Sequence, residues 1–129
     1  MPRWYADTSS ALKLLLEEAE SGALAAAIDE NAAELVGTRL LETEMRRAAH
    51  RVGELSQDRV TALLATFDLY SVNDAVFRQA GLLPGQTLRS LDALHMASAI
   101  ALNVDAVVTY DVRLAAACAE IGVPVLSPA

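Results

Sequence analysis

Three aspartates fall where a strand-like run gives way to a helix or where a helix has just begun. Asp7 follows Arg3–Ala6, Asp111 follows Ala106–Tyr110, and Asp92 lies in the first turn of a helix that Ser90 is expected to cap. A carboxylate at such a junction has an ordinary use, because it accepts the free N–H groups of the helix start and suits the positive end of the helix dipole. What sets these three apart is a shortage of bases. Segments 5–12, 90–96 and 105–112 contain Asp7, Asp92, Asp105 and Asp111 but no Arg or Lys, and Lys13, Arg89 and Arg113 fall just outside them. Carboxylates gathered without bases repel one another, so they protonate or hold a cation. Oxygen ligands select Mg²⁺ or Mn²⁺ over zinc. The expected chemistry is a divalent-metal site; the competing expectation is a non-catalytic α/β binding module whose acids only cap helices.

A fourth acid, Glu44, stands inside a helix predicted from Thr38 to about Val52. Its neighbours at i−4, i−3 and i+4 are Leu40, Leu41 and Ala48, so it lies in an apolar stripe where a solvated acid is unexpected. Glu42 points elsewhere and has Arg46 at i+4, which reads as an exposed pair. For Glu44 the alternative is a pair with Arg47 at i+3.

The elements that must position these acids alternate. Arg3–Ala6, Glu34–Gly37, Leu69–Val72, Ala106–Tyr110 and Val123–Leu126 are strand-like. Between them lie a helix from the Asp7–Ser10 capping run to a break at Ser21-Gly22, a helix over Ala23–Glu30, the helix after Thr38, and another over Ser56–Phe67. A further helix runs from Asn73 or Asp74 to Gly81, then Leu91–Leu102 ending at Asn103, and one from Asp111 to Glu120 stopped by Gly122. This alternation predicts parallel strands joined by helical crossovers, with helices on both faces. Ligands of such sheets bind outside the carboxyl ends of the strands, the edge to which Asp7 and Asp111 belong.

With 129 residues, 53 % of them apolar and 5 % aromatic, the chain predicts one domain, residues 1–129, with an aliphatic core. No apolar run approaches the roughly 18 residues of a membrane span, and the start shows no apolar core of a secretory signal, so a cytoplasmic protein is expected. The lone Cys118 is read as a small buried hydrophobe. A net charge of −7 argues against a broad basic face for nucleic acid. The charge is uneven, however: residues 39–59 hold five arginines (39, 46, 47, 51 and 59) against four acids.

At this point four blocks carry a resemblance. Tyr5-Ala6-Asp7-Thr8-Ser9-Ser10, Thr38 to Arg47, Leu88 to Ala99 (with its Leu-Asp-Ala-Leu-His-Met-Ala core) and Val108-Thr109-Tyr110-Asp111 together resemble a PIN-domain protein. More specifically, they resemble a VapC-type toxin of a type II (VapBC) toxin–antitoxin system. The resemblance implies a three-layer α/β/α fold around a mainly parallel sheet and an Mg²⁺-dependent endoribonuclease, with Mn²⁺ as a possible substitute. It also implies RNA as substrate, inhibition by a VapB-type antitoxin, and homodimers. It makes Asp7, Glu44, Asp92 and Asp111 the metal-holding, catalytic quartet, with Thr109 and Ser9 in support. His95, three residues after Asp92, shares its helix face; the resemblance does not make it a ligand, and it is read as structural or as supporting a ligand. His50 is expected to be exposed and Asp105 to be a turn residue. Phosphoryl transfer to an aspartate is excluded: Asp7 is followed by Thr8 and Ser9 rather than a second Asp, the only lysine is Lys13, and no Gly-rich phosphate loop is present.

Overall fold

The alternation of side chains along three central strands sorts the core into two halves. In the computed structural model, which describes residues 1–129, β1 (Arg3–Ala6) sends Trp4 and Ala6 to one face and Tyr5 to the other. Strand β4 (Ala106–Val108) likewise sends Ala106 and Val108 one way and Val107 the other. On the first face they meet Ala11 of α1 (Thr8–Lys13), Leu24 of α2 (Ser21–Asn31), Leu41 and Met45 of α3 (Arg39–Arg51) and Val60 and Leu64 of α4 (Gln57–Leu64). On the second face they meet Met96 and Ala99 of α6 (Ser90–Ala101) and Leu114 and Cys118 of α7 (Val112–Glu120). Helix α5 (Asp74–Leu82) packs Val76 and Ala80 against Ala93 and Ala97 of α6. Helices therefore cover both faces, and the three-layer α/β/α expectation holds. Each large side chain removed from water in these clusters stabilises the fold by about 1.5–3 kcal/mol.

The remaining strands are β2 (Glu34–Thr38), β3 (Asp68–Tyr70) and β5 (Val125–Leu126), and the sheet order is β3-β2-β1-β4-β5, parallel throughout. The chain builds outward from β1 through β2 to β3, then returns to lay β4 on the other side of β1. That reversal makes the β1/β4 boundary the switch point of the sheet, where a crevice opens beyond the strand ends. Ala6 pairs with Val108 there, so Asp7 and Thr109 are the next residues out on adjacent strands.

Helices that return from or to parallel strands run antiparallel to them. The starts of α3 and α6 thus lie at the same sheet edge as the ends of β1 and β4. No helix is long and apolar enough to cross a membrane.

Several boundaries differ from those the sequence predicts. The first helix ends at Lys13, and Ser21-Gly22 begins α2 instead of breaking a helix. Helix α4 is shorter than predicted, and β3, β4 and β5 are each shorter than their apolar runs. Apolar periodicity continues past the last ladder bond because flanking residues still pack on the core, so it overstates element lengths. Ser90 is not the cap of α6; it is the first helical residue, and Arg89 holds the cap position without a side-chain bond.

Candidate active site

Asp7 caps α1 with its Oδ1, which accepts the backbone N–H of Ser10 (3.0 Å), the Ser10 hydroxyl (3.2 Å) and the Ser9 hydroxyl (2.7 Å). Its Oδ2 accepts the Thr109 hydroxyl at 2.6 Å. The residue is only 5 % exposed and forms no ion pair. Hydrogen bonds to a carboxylate are worth about 1.5–3 kcal/mol each, so this cradle offsets the cost of burying it. Thr109, fully buried, accepts the backbone N–H of Asp111 at 3.0 Å while donating to Asp7. Ser9 accepts the backbone N–H of Tyr110 at 2.9 Å. The two supporting hydroxyls thus tie the end of β1 to the end of β4.

Asp111 caps α7: its Oδ1 accepts the N–H groups of Arg113 (2.9 Å) and Leu114 (3.2 Å), leaving Oδ2 without a protein partner. Asp92, in the first turn of α6, has its carboxyl pushed above the usual range. Burial is the larger cause and the Asp111 carboxylate the next, against opposing contributions from the Arg89 backbone, Arg113 and His95. Asp92 at the start of α6 and Asp111 just past the end of β4 thus repel one another.

Glu44 is half-buried, and its Oε1 is bonded to His95 Nε2 at 2.5 Å. The alternative pairing with Arg47 is not formed. Glu42 pairs with Arg46 as expected, though the pair is half-buried rather than exposed, and it also takes Arg39. Arg46 reaches on to Gln57 and Thr61, and Arg59 to the carbonyls of Glu54 and Leu15. Arg47, His50 and Arg51 are exposed.

Hydrogen bonds tie Asp7 through Thr109 to Asp111 and Glu44 to His95, one turn along α6 from Asp92, whose carboxyl also feels the Asp111 charge. No three His, Cys, Asp or Glu side chains close around a common point. The donors are all oxygens, none of the three aspartates has a basic partner, and Asp92 and Asp111 repel. This donor chemistry fits a hard divalent cation.

Two contributors escape the sequence reading. Ser10 supplies two of the bonds to Asp7 and also donates to the Val108 carbonyl at 2.8 Å; its position three residues after a capping Asp is the signal that was there to use. Tyr5 bonds His95 Nδ1 at 2.7 Å, a pairing across 90 residues that carries no local signal. Burial raises the Tyr5 phenol well above its ordinary range and pushes the Cys118 thiol up to about 11, so neither ionises at neutral pH. His50 is exposed and Asp105, at a bend, accepts the Arg3 N–H at 2.7 Å, as expected of them.

A model of the PIN domain matches residues 4–120. Ribonuclease VapC35 of Mycobacterium tuberculosis is 35 % identical over 130 residues, which cover 96 % of each chain. Among solved structures, a chain of VapBC2 from Rickettsia felis, bound to a promoter DNA fragment, superposes with a TM-score of 0.75 at 11 % identity, covering 98 % of this chain and 99 % of that one. A toxin–antitoxin complex from Klebsiella pneumoniae gives a TM-score of 0.75 at 17 % identity over 97 % of both chains. At those identities the structural likeness speaks to the fold alone.

Proposed function

The chain belongs to the PIN-domain family, as a VapC-type member, and on that premise we propose that it is a divalent-metal-dependent endoribonuclease, the toxin of a toxin–antitoxin pair. In this reading residues 1–129 act as one domain in the cytoplasm, pair as a homodimer, and are held inactive by a VapB-type antitoxin. The observation that carries the reading is that Asp7 and Asp111 sit just past the adjacent strand ends of β1 and β4, joined through Thr109, with the Asp92 carboxyl raised in part by Asp111 and none of the three in an ion pair.

Asp7, Glu44, Asp92 and Asp111 would hold Mg²⁺, or Mn²⁺ in its place. When bound, the ion supplies charge stabilisation for the phosphodiester and acidifies water, the source of the nucleophile at neutral pH. The protein's own share is pre-organisation. Ser9, Ser10 and Thr109 hold Asp7 in one orientation, and the bonds Asp111 makes as a cap fix its Oδ1 and leave Oδ2 without a protein partner. Glu44 and Asp111 each keep one oxygen without a protein partner, the acceptors that orient an attacking water. Arg47 and Arg51 follow Glu44 at i+3 and i+7, roughly 4.5 and 10 Å along the helix axis. They are exposed cations on the Glu44 side of α3 and supply phosphate contacts flanking the scissile bond.

Purified protein freed of antitoxin, incubated with RNA and Mg²⁺ or Mn²⁺, should cleave internally. Asp7→Asn and Asp92→Asn should each reduce cleavage to background while keeping the wild-type circular-dichroism spectrum, and excess EDTA should do the same. Full activity in Asp7→Asn or in EDTA overturns the reading.

A further inference from the structure

Helix caps and hydroxyls hold Asp7 and Asp111, but Glu44 has neither. Its single protein bond runs to His95, and His95 is itself gripped from behind. The imidazole is 4 % exposed, its Nε2 lies 2.5 Å from Glu44 Oε1 and its Nδ1 lies 2.7 Å from the Tyr5 hydroxyl. The Tyr5 ring, fully buried between sheet and α6, meets the imidazole edge-on at 5.7 Å and 68°. A half-turn of the imidazole would break both bonds at once.

We propose that His95 is a positioning residue for Glu44, locked by Tyr5 in the Nε2–H tautomer so that it donates to Glu44 Oε1 and presents Oε2 to the catalytic edge. The proton assignment follows from what each group is able to do. An ionised carboxylate only accepts, so the proton between His95 and Glu44 sits on Nε2. With a single N–H on the ring, Nδ1 accepts and the Tyr5 phenol, kept protonated by burial, is the donor that satisfies it; an imidazolium, donating from both nitrogens, overturns the assignment. One hydroxyl in the core thereby dictates which way a carboxylate at the surface points. A carboxylate bonded through one oxygen to a rigid, buried ring loses its freedom to swing. A partner of this kind typically changes metal affinity by about 10–100-fold. The role assigned to Glu44 rests on the proposed ribonuclease reading; the tautomer and the hydrogen bonds do not.

The test has two arms on the full-length chain. In ¹⁵N-labelled, metal-free protein at neutral pH, long-range ¹H–¹⁵N spectra should show His95 as the Nε2–H tautomer with a slowly exchanging ring proton. The exposed His50 serves as the fast-exchanging control, and Tyr5→Phe, which leaves Nδ1 without its donor and the ring without its rear grip, should speed exchange of the His95 ring proton. In the second arm, His95→Leu should weaken Mn²⁺ binding, followed by the paramagnetic signal of free Mn²⁺, by about 10–100-fold. It should lower kcat on a short RNA at least about tenfold with KM little changed. His95→Gln, whose amide also donates, should recover most of both. An Nδ1–H tautomer, or Leu and Gln variants that bind Mn²⁺ alike, overturns the proposal. Should His95→Leu fail to fold, the spectra of wild type and Tyr5→Phe decide it. Folded wild type that cleaves no RNA strikes the ribonuclease reading instead, and the tautomer and Mn²⁺ measurements still judge His95.

Discussion

Burial and the neighbouring Asp111 carboxylate both push the Asp92 carboxyl above its usual range. A carboxyl whose pKa is raised on folding favours the fold only while it is protonated. That contribution is complete below the unfolded-state pKa and is lost as pH rises through the folded-state value. At neutral pH, without a cation, ionised Asp92 therefore works against folding, although its place in the first turn of α6 recovers part of the cost through the helix dipole. Asp92→Asn in EDTA should consequently melt higher than wild type at pH 7, by roughly 2 °C for about 0.5 kcal/mol in a domain of this size. The gap should close as pH falls through the raised Asp92 pKa, and thermal melts across that range in matched buffers check it. A variant less stable than wild type at pH 7 would mean that the dipole outweighs burial and repulsion.

At the scale of elements, the helix starts carry the site and the strand ends aim it. Five helices are capped where the sequence reading puts a cap or a start, by Asp7, Thr38, Ser56, Asn73 and Asp111, and each of these side chains accepts a backbone N–H. Ser90 departs from that pattern because nothing in its local sequence separates a cap from a first helical residue. Strand β2 illustrates a different constraint. A Cβ added at Gly37 would lie 3.1 Å from Leu41 Cδ2 and 3.3 Å from Leu69 Cδ2, so the glycine is there to let α3 and β3 press close. Gly37→Ala should destabilise the protein by about 1 kcal/mol, read as a lower urea midpoint with unchanged slope. An unaltered midpoint would show that the two leucines shift freely. Because α3 carries Glu44, the same variant should lower RNA cleavage more than its stability loss explains.

For the molecule as a whole, the acids come from the end of β1, the second turn of α3, the start of α6 and the cap of α7, so a cation held among them braces both sides of the switch point. Binding only the folded state at a concentration 100 times Kd adds about 2.7 kcal/mol. Mn²⁺ should therefore raise the wild-type Tm by several degrees, and Asp92→Asn should abolish most of that rise. A flat response in wild type would favour the helix-capping module that the sequence also allows. With a net charge of −7, any phosphate contact falls to local arginines: those of α3 and the exposed Arg89 and Arg113 beside Asp92 and Asp111.

Short apolar runs alternating with helical segments were enough to predict a parallel α/β/α architecture, because strands buried on both faces read as continuous apolar runs between covering helices. The junction positions of Asp7 and Asp111 were readable for the same reason: a strand end facing a helix start is a local event. The apolar stripe around Glu44 marked it as unusual but could not name its partner: the alternative, Arg47, lies within reach along one helix, whereas the bond goes to His95, 51 residues away. Only the tertiary structure decided that Thr109 bonds Asp7, that Asp111 presses on Asp92, and that Tyr5 and His95 stand behind Glu44. Those contacts depend on β4 folding back beside β1 and on α6 crossing the face between them, and such long-range closures leave no period in the sequence. The acids at the sheet edge were legible from residue types and spacing; the hydrogen bonds that hold them in place belong to the fold.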